Sequence, residues 1–592
     1  MPMSSLHPPV DIDACGANNV AGLSDAEVKA LSTATNAGAM RWLYPFEGTV
    51  FPRGMGAPLL MWEGTSMERA VYVHIKSMLF DYRGCLQPTA AGQLELPHDI
   101  WVTAGEQTLG KNDPTTLELA VLSGGNVSGP LVLHFTIAQA TIKGSIYYNS
   151  YESKLPRPPV TQQAAIPIDG GMVLRIPQGG TAEVFAANAC EGCHSVSADG
   201  SMLLAQMIGA GGQAYELVPG VMPNPPMALV GPRGAYGALY PDGSAYLSMS
   251  GVIDVARTTQ TQFGAAQMNA TLYETKSGQI VPNNGIPPGV LMPMFSPDGK
   301  KLAFTDYAIS NADGIAVMNY DTATHTASDY QMVLQDDDTA TRPGWPFFLP
   351  DNHALVFLRN ASQNFSGDGV GLNPVTASSF GGAPTGGGAP MSMPITMGPL
   401  SDLYIADLVT HTVTLLARAM GYNTPQDGAS DATYLPFGMD DLHRNYYPTV
   451  SPVAAGGYFW VFFDSYRHYG NLGKHRQLWG AAIEIQSNGN YARDVSFPAF
   501  YLPGQEFATG NHRAFAALDP CKQDGDKCAS GVDCCGGFCY FDNNEIDPMG
   551  RCSPMQTMCS RQDERCSAAS DCCGSNPPQS CIAGFCAQVN LN

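Results

Sequence analysis

Charge is scarce in this 592-residue chain. Only 14% of its residues are charged, and 30 Lys and Arg face 52 Asp and Glu. No basic stretch exists, so the clustered cations that a nucleic-acid or anionic membrane surface needs are missing. The formal net charge of -22 reads instead as an acidic coat that keeps a large secreted protein soluble. No apolar run reaches the 18 residues of a membrane span, and the opening MPMSSLHPPVDIDACGANN lacks the basic-then-apolar pattern of a signal peptide. The chain also lacks G-x-S-x-G, H-E-x-x-H and G-K-[ST] sequences, which removes three common catalytic signatures.

What is present is β-forming. Hydrophobic residues make up 44% of the chain, with 64 Gly and 45 Pro, a balance that favours strands and turns over helices. Within a segment at 1–40, Ser24 and Glu27 stand at capping-box spacing and predict one short helix. From 41 to 160, runs such as RAVYVHIKSMLF and PLVLHFTIAQATIKGSIYY alternate apolar and polar residues between turn signals. This span is expected to be a β-sandwich domain.

Residues 161–520 carry a repeat: an aromatic or apolar residue, a Pro-Asp-Gly type turn, then a hydrophobic strand. Its copies start VSADGS at 196, LYPDGS at 239, FSPDGK at 295, FLPDNH at 348, VSPVAAGG at 450 and, more weakly, FYLPGQ at 500. The spacing predicts one four-stranded blade per copy, hence a six-bladed β-propeller resembling TolB-type blades. The doubled gap after the fourth copy holds a Gly/Pro/Ser-rich insertion, read as a long loop. GAGGQA at 209–214 has no helix after it and reads as a hairpin turn. The segment at 170–185 looks like two outer strands without inner ones, and the sixth copy has the opposite deficit. Pairing them would close the ring with strands from both ends.

One motif carries chemistry. Cys190-Glu-Gly-Cys193-His194 is C-x-x-C-H, the spacing at which two thiols form thioethers with haem vinyl groups and the adjacent imidazole becomes an axial iron ligand. A redox C-x-x-C with an incidental His, or half a zinc site, are the alternatives. Zinc would want a second Cys or His pair, and no other C-x-x-C occurs. One covalent haem c is the expectation, with His194 as proximal ligand at a mouth of the propeller axis. Met292, before the third repeat, is the candidate distal ligand, with core packing as its alternative role. His443 is the alternative distal ligand, and His468 is a further one. Calcium could bind at Asp336, Asp337 and Asp338, or at Asp524 with Asp526, but neither group fits a twelve-residue calcium loop.

Twelve of the sixteen cysteines lie in 521–586, a disulfide framework that implies an oxidising compartment and hence export. A leader is then expected to have been removed, or the start to be misassigned. Two units, C-x6-C-x5-CC-x3-C-x12-C from Cys521 and C-x6-C-x5-CC-x7-C-x4-C from Cys559, predict two small cysteine-rich modules at 521–592. Spacing alone allows fifteen pairings in each. The modules resemble cystine-knot or Dickkopf-like units. That resemblance implies pairing of first with fourth, second with fifth and third with sixth cysteine.

Nearly the whole chain resembles a family of large exported bacterial proteins that join a β-sandwich, a TolB-like propeller with a haem c motif and a Dickkopf-like tail. The likeness is carried by WLYPFEGTVFPRG at 42, KGSIYYNSY at 143, CEGCHSVSADGS at 190, GGYFWVFFDSYRHYGN at 456 and FPAFYLPGQE at 497. It implies export and this domain order, and it assigns no reaction. Three functions follow as expectations: electron transfer at the periplasm or cell surface, a haem-dependent oxidoreductase or peroxidase-like enzyme, or an adhesion and recognition protein with a structural haem. The redox partner or surface ligand is not readable from the residues.

Overall fold

The structure is a computed structural model. It describes residues 8–151, 153–156, 171–186, 191–207, 211–217, 227–228, 234–250, 269–287, 289–306, 314–335, 341–361, 400–423, 432–507, 509–541, 549–554, 559–562, 564–574, 579–582 and 585–588. Within 191–193 it describes the backbone and no side chain. Cys190, Asp336, Asp337, Asp338 and the insertion at 362–399 lie outside the described residues.

The chain is mainly β. Its N-terminal part forms a six-stranded sheet in the order Val10–Ala14, Phe80–Leu86, Glu68–Lys76, Thr115–Ser123, Asn126–Thr141 and Val50–Arg53. The two outermost strands pair in parallel with their neighbours. A three-stranded sheet of Arg41–Tyr44, Leu59–Glu63 and Gln93–Glu95 stands beside it. A disulfide joins Cys15 to Cys85, so the first strand is stapled to the one it pairs with. The short helix forms at Asp25–Ser32, capped by Ser24 and Glu27 as the spacing predicts.

Six further sheets make the propeller. The first five have the innermost strands Glu191–Val196, Gly234–Leu239, Val290–Phe295, Thr341–Phe348 and Asn445–Val450, and are numbered blades 1 to 5. The sixth, closing blade takes Ser145–Tyr151, Met172–Ile176 and Glu183–Ala186 from before blade 1 and its innermost strand, Gly510–Ala517, from after blade 5. Ring closure by both ends of the propeller segment follows the sequence reading, with one shift. Ser145–Tyr151 reads in sequence as sandwich, yet here it pairs on both edges inside the propeller. The weak repeat at 500–518 is likewise divided, Phe500–Tyr501 serving blade 5 and Gly510–Ala517 the closing blade.

The repeat turns explain themselves chemically. Asp199 accepts from Ser201 N–H at 2.9 Å, Asp242 from Ser244 N–H at 2.8 Å and Asp298 from Lys300 N–H at 3.0 Å. Each Asp therefore folds its own turn through its side chain. The next residue has positive φ: Gly200, Gly243, Gly299, and Asn352 in the PDN copy, the non-glycine type best suited to that region. The apolar core is continuous across the two domains, since Phe51, Trp62 and Trp101 of the sandwich share a buried cluster with Tyr148, Trp460 and Phe500.

The tail pairs Cys521–Cys535, Cys528–Cys539 and Cys534–Cys552, then Cys559–Cys573, Cys566–Cys581 and Cys572–Cys586. Both units thus join first to fourth, second to fifth and third to sixth cysteine. All of these sulfurs are consumed in disulfides, so the cysteine clusters of the tail offer no thiolate to a metal. The units touch: Arg565 N–H donates to Gly537 O at 3.2 Å, and Ala587 is buried in the main propeller cluster. Asp526 Oδ2 accepts from Gln523 N–H at 3.0 Å as part of a turn.

Candidate functional site

In all six innermost strands the pairing register slips at the same place. The slips fall between Gly192 and Ser195, Ala235 and Ala238, Leu291 and Met294, Gly344 and Phe347, and Tyr446 and Thr449, while Tyr147 to Asn149 spans the slip opposite Phe515 and His512. Each bulge therefore inserts a pair: Cys193-His194, Tyr236-Gly237, Met292-Pro293, Trp345-Pro346, Tyr447-Pro448 and Arg513-Ala514. Proline is accommodated at the second position in three of them because bulged residues leave the hydrogen-bond ladder. The first residue has positive φ at Met292 (48°), Trp345 (56°), Tyr447 (51°) and Arg513 (46°). Cys193 occupies their register position by backbone pairing. The C-x-x-C-H motif thus ends in a structural feature that every blade repeats.

Three of these bulge residues meet. The Arg513 guanidinium lies 4.2 Å from the Trp345 ring centre, and Trp345 packs edge-on to Tyr447 at 5.0 Å. Since they come from blade 4, blade 5 and the closing blade, the innermost strands converge here. Met292 is buried in the same cluster.

His194, at the second bulge position, is fully buried against the strand Ser145–Tyr151. Its Nδ1 is 2.7 Å from Asn149 Oδ1 and its Nε2 is 3.2 Å from the Tyr147 carbonyl, with Phe515 edge-on at 6.1 Å. Desolvation, aided by the Arg513 guanidinium, pushes the imidazole down to about 3, so the ring is neutral and has one N–H to give. If Nδ1–H donates to Asn149, the Nε2 lone pair faces another acceptor. If instead the Asn149 amide is turned, Nε2–H donates to Tyr147 and both contacts are satisfied.

His443 is held elsewhere. Its Nδ1 lies 2.8 Å from Asp402 Oδ2, which also accepts from the Tyr422 hydroxyl at 2.8 Å. Asn445 Nδ2 donates to Asp402 Oδ1 at 2.9 Å, and Arg467 Nη2 donates to Asn445 Oδ1 at 2.7 Å. Asp402 is the second residue of Ser401–Asp407, the third strand of blade 4 counted from the axis, so the His443 ring is tied to that strand. His468 pairs with Asp441 at 2.6 Å and stacks on Phe437. Arg467, wholly buried without a carboxylate within ion-pair distance among the described residues, lies over the rings of Phe463 and Trp479. The sequence pattern gave no sign of this network because Asp402 lies in an outer strand of blade 4, Asn445 at the start of the innermost strand of blade 5 and the rest in connecting segments, with no local motif joining them.

No family model matches the sequence, and no curated protein matches it. Among solved structures, TolB from Acinetobacter baumannii is similar at a TM-score of 0.32 and 11% identity, over 66% of this chain and 80% of that one. A putative TolB from Agrobacterium tumefaciens is similar at 0.30 and 13%, over 61% and 88%. Kuenenia stuttgartiensis hydrazine synthase is similar at 0.30 and 12%, over 56% and 82%. Likenesses this distant say nothing about chemistry, and the propeller is read here from its own six sheets.

Proposed function

We propose that the chain is an exported c-type haem protein of the periplasm or cell surface that transfers single electrons. The observation that carries this reading is the placement of C-x-x-C-H at the entry to the innermost strand of blade 1, ending on the bulge that every blade repeats. The seven disulfides among the described residues agree with folding outside the cytoplasm.

The donor set suits haem c: two thiols for the vinyl groups and a neutral imidazole. Asn149 would orient the ring by accepting a hydrogen bond from Nδ1–H, as the outer partners of ligating histidines commonly do. Nε2 would be the iron ligand, and the Tyr147 carbonyl now 3.2 Å from it would have to give way to the metal. Bound there, the haem would supply one-electron exchange at its iron. Met292, which shares the bulge position of the innermost strands, would be the distal ligand in preference to His443, whose ring is engaged by Asp402. The cysteine units of the tail would act as cystine-knot-like modules at the surface.

Full-length protein matured with the c-haem machinery should keep its haem through denaturation and acid-acetone extraction, because thioethers survive unfolding. Haem lost on extraction would overturn the reading. Cys190→Ser or Cys193→Ser should leave one thioether at most. A low-spin spectrum with a weak band near 695 nm, lost in Met292→Ala, would support transfer with methionine ligation. A high-spin, carbon monoxide-binding spectrum would favour the oxidoreductase.

A second reading has its own observation. Both His194 nitrogens have partners on one strand, so with the Asn149 amide turned His194 becomes a pin between blade 1 and the closing blade. Under that reading His194→Ala lowers stability and leaves any haem spectrum unchanged.

A further inference from the structure

A cavity of about 450 Å³ lies where the sandwich meets the propeller, and no residue of the C-x-x-C-H motif lines it. Three glycine turns make its rim. A Cβ on Gly504, whose φ is 86°, would stand 2.5 Å from Gly180 O, and one on Gly179 would stand 3.0 Å from Gly54 O. The turns come from the sandwich, from the closing blade and from the chain leaving blade 5. Their backbones approach closely, and the lack of a side chain at these glycines keeps the rim thin.

The floor is aromatic. Tyr469 and Tyr501 stack at 3.7 Å and 7°, and Tyr44 packs edge-on to Tyr469 at 5.0 Å. The Tyr44 oxygen accepts from Tyr501 N–H, and the Tyr501 hydroxyl donates to Gln477 Oε1 at 3.1 Å. These two rings therefore offer carbon rather than oxygen to an occupant. Phe51, Ile146 and Ile176 continue the apolar wall, while Glu95 and His98, both exposed to solvent, stand among the lining residues on the sandwich side. Concave, mostly apolar space at a domain junction with a few convergent polar groups is the make-up of a small-molecule site.

We propose that this cavity binds a small planar aromatic molecule bearing a hydroxyl group, a phenol in the broad sense. Its ring lies against the tyrosines, and its hydroxyl is taken by Glu95 and His98. A sugar fits less well, because several of its hydroxyls would face Phe51, Ile146 and Ile176 without partners. The proposal does not depend on a haem.

The test is a fluorescence titration of the full-length chain with 2-naphthol, with naphthalene as the probe lacking the hydroxyl. One saturable 2-naphthol site per chain is expected, with affinity about tenfold above naphthalene. Ala57→Trp, which fills the cavity from its lining, should weaken 2-naphthol by about tenfold or more. Thr181→Trp, from another wall, should do the same if the first variant folds poorly. Glu95→Leu with His98→Ala should bring the two probes to parity, since neither replacement side chain can pair with a hydroxyl. Absence of saturable binding, or full affinity in both tryptophan variants, would overturn the site. Equal affinity for the two probes in the unaltered chain would overturn the hydroxyl recognition.

Discussion

The Tyr44 hydroxyl oxygen, on the sandwich, accepts a hydrogen bond from the backbone N–H of Tyr501, on the outermost strand of blade 5, at 2.9 Å across 457 positions of sequence. Both residues are buried. Tyr44→Phe should cost about 1–3 kcal/mol, since it leaves a buried donor with no acceptor. Urea unfolding followed by fluorescence measures it, and a change below experimental error would mean that water reaches the Tyr501 amide.

Gly144 precedes the first strand of the closing blade with a φ of 80°, and a Cβ there would stand 1.9 Å from the Ala517 carbonyl. No side-chain rotation relieves a clash with backbone. Gly144→Ala should destabilise the chain by about 2 kcal/mol or more. Its signature should be faster proteolysis around residues 510–517, the strand that it pushes away.

Asn445 bridges two buried charges, donating to Asp402 and accepting from Arg467. Asn445→Ala should cost about 3 kcal/mol, because both ions keep their desolvation and lose a partner. Asn445→Asp offers a carboxylate to Arg467 but sets it against Asp402. Thermal melting of the two variants separates loss of a bridge from gain of a repulsion.

Desolvation, with help from the nearby Arg476 guanidinium, holds the His512 imidazole well below its ordinary value near 6.5. The folded chain therefore keeps this ring neutral while the unfolded chain protonates it. The unfolded state binds the extra proton, so the stability that His512 allows is complete above about pH 6.5 and falls as the pH drops below that value. The slope from one such histidine is at most about 1.4 kcal/mol per pH unit. His512→Gln should flatten the acid limb of a plot of unfolding free energy against pH between 6.5 and 5. An unchanged limb would place the acid sensitivity elsewhere.

Much of the architecture was legible because its turns are chemical. Asp199, Asp242 and Asp298 announce hairpins by residue type, and Ser24 with Glu27 announces a helix start. Ser145–Tyr151 was not legible, since a strand buried on both faces reads alike in a sandwich and in a blade. The bond between Cys15 and Cys85 was hidden because it joins distant segments with no motif between them. At the candidate site, aligning Ser197 with Ser296 places Met292 level with Cys193 rather than with His194, a one-residue difference that decides which way a side chain faces. The Asp402, Tyr422, His443 and Arg467 network escaped because its residues lie in separate strands and connections and touch only through the fold.

The closing blade also sets the order of events in making the protein. Its second strand is synthesised at residues 145–151 and its innermost strand only at 510–517, so the two halves of one sheet wait for more than 350 residues of intervening chain. Contacts so distant are slow to form, and an unpaired strand edge invites association with other chains. A polypeptide released or cleaved short of residue 510 would hold five blades and an open seam, and should aggregate or be degraded rather than accumulate as a smaller working form.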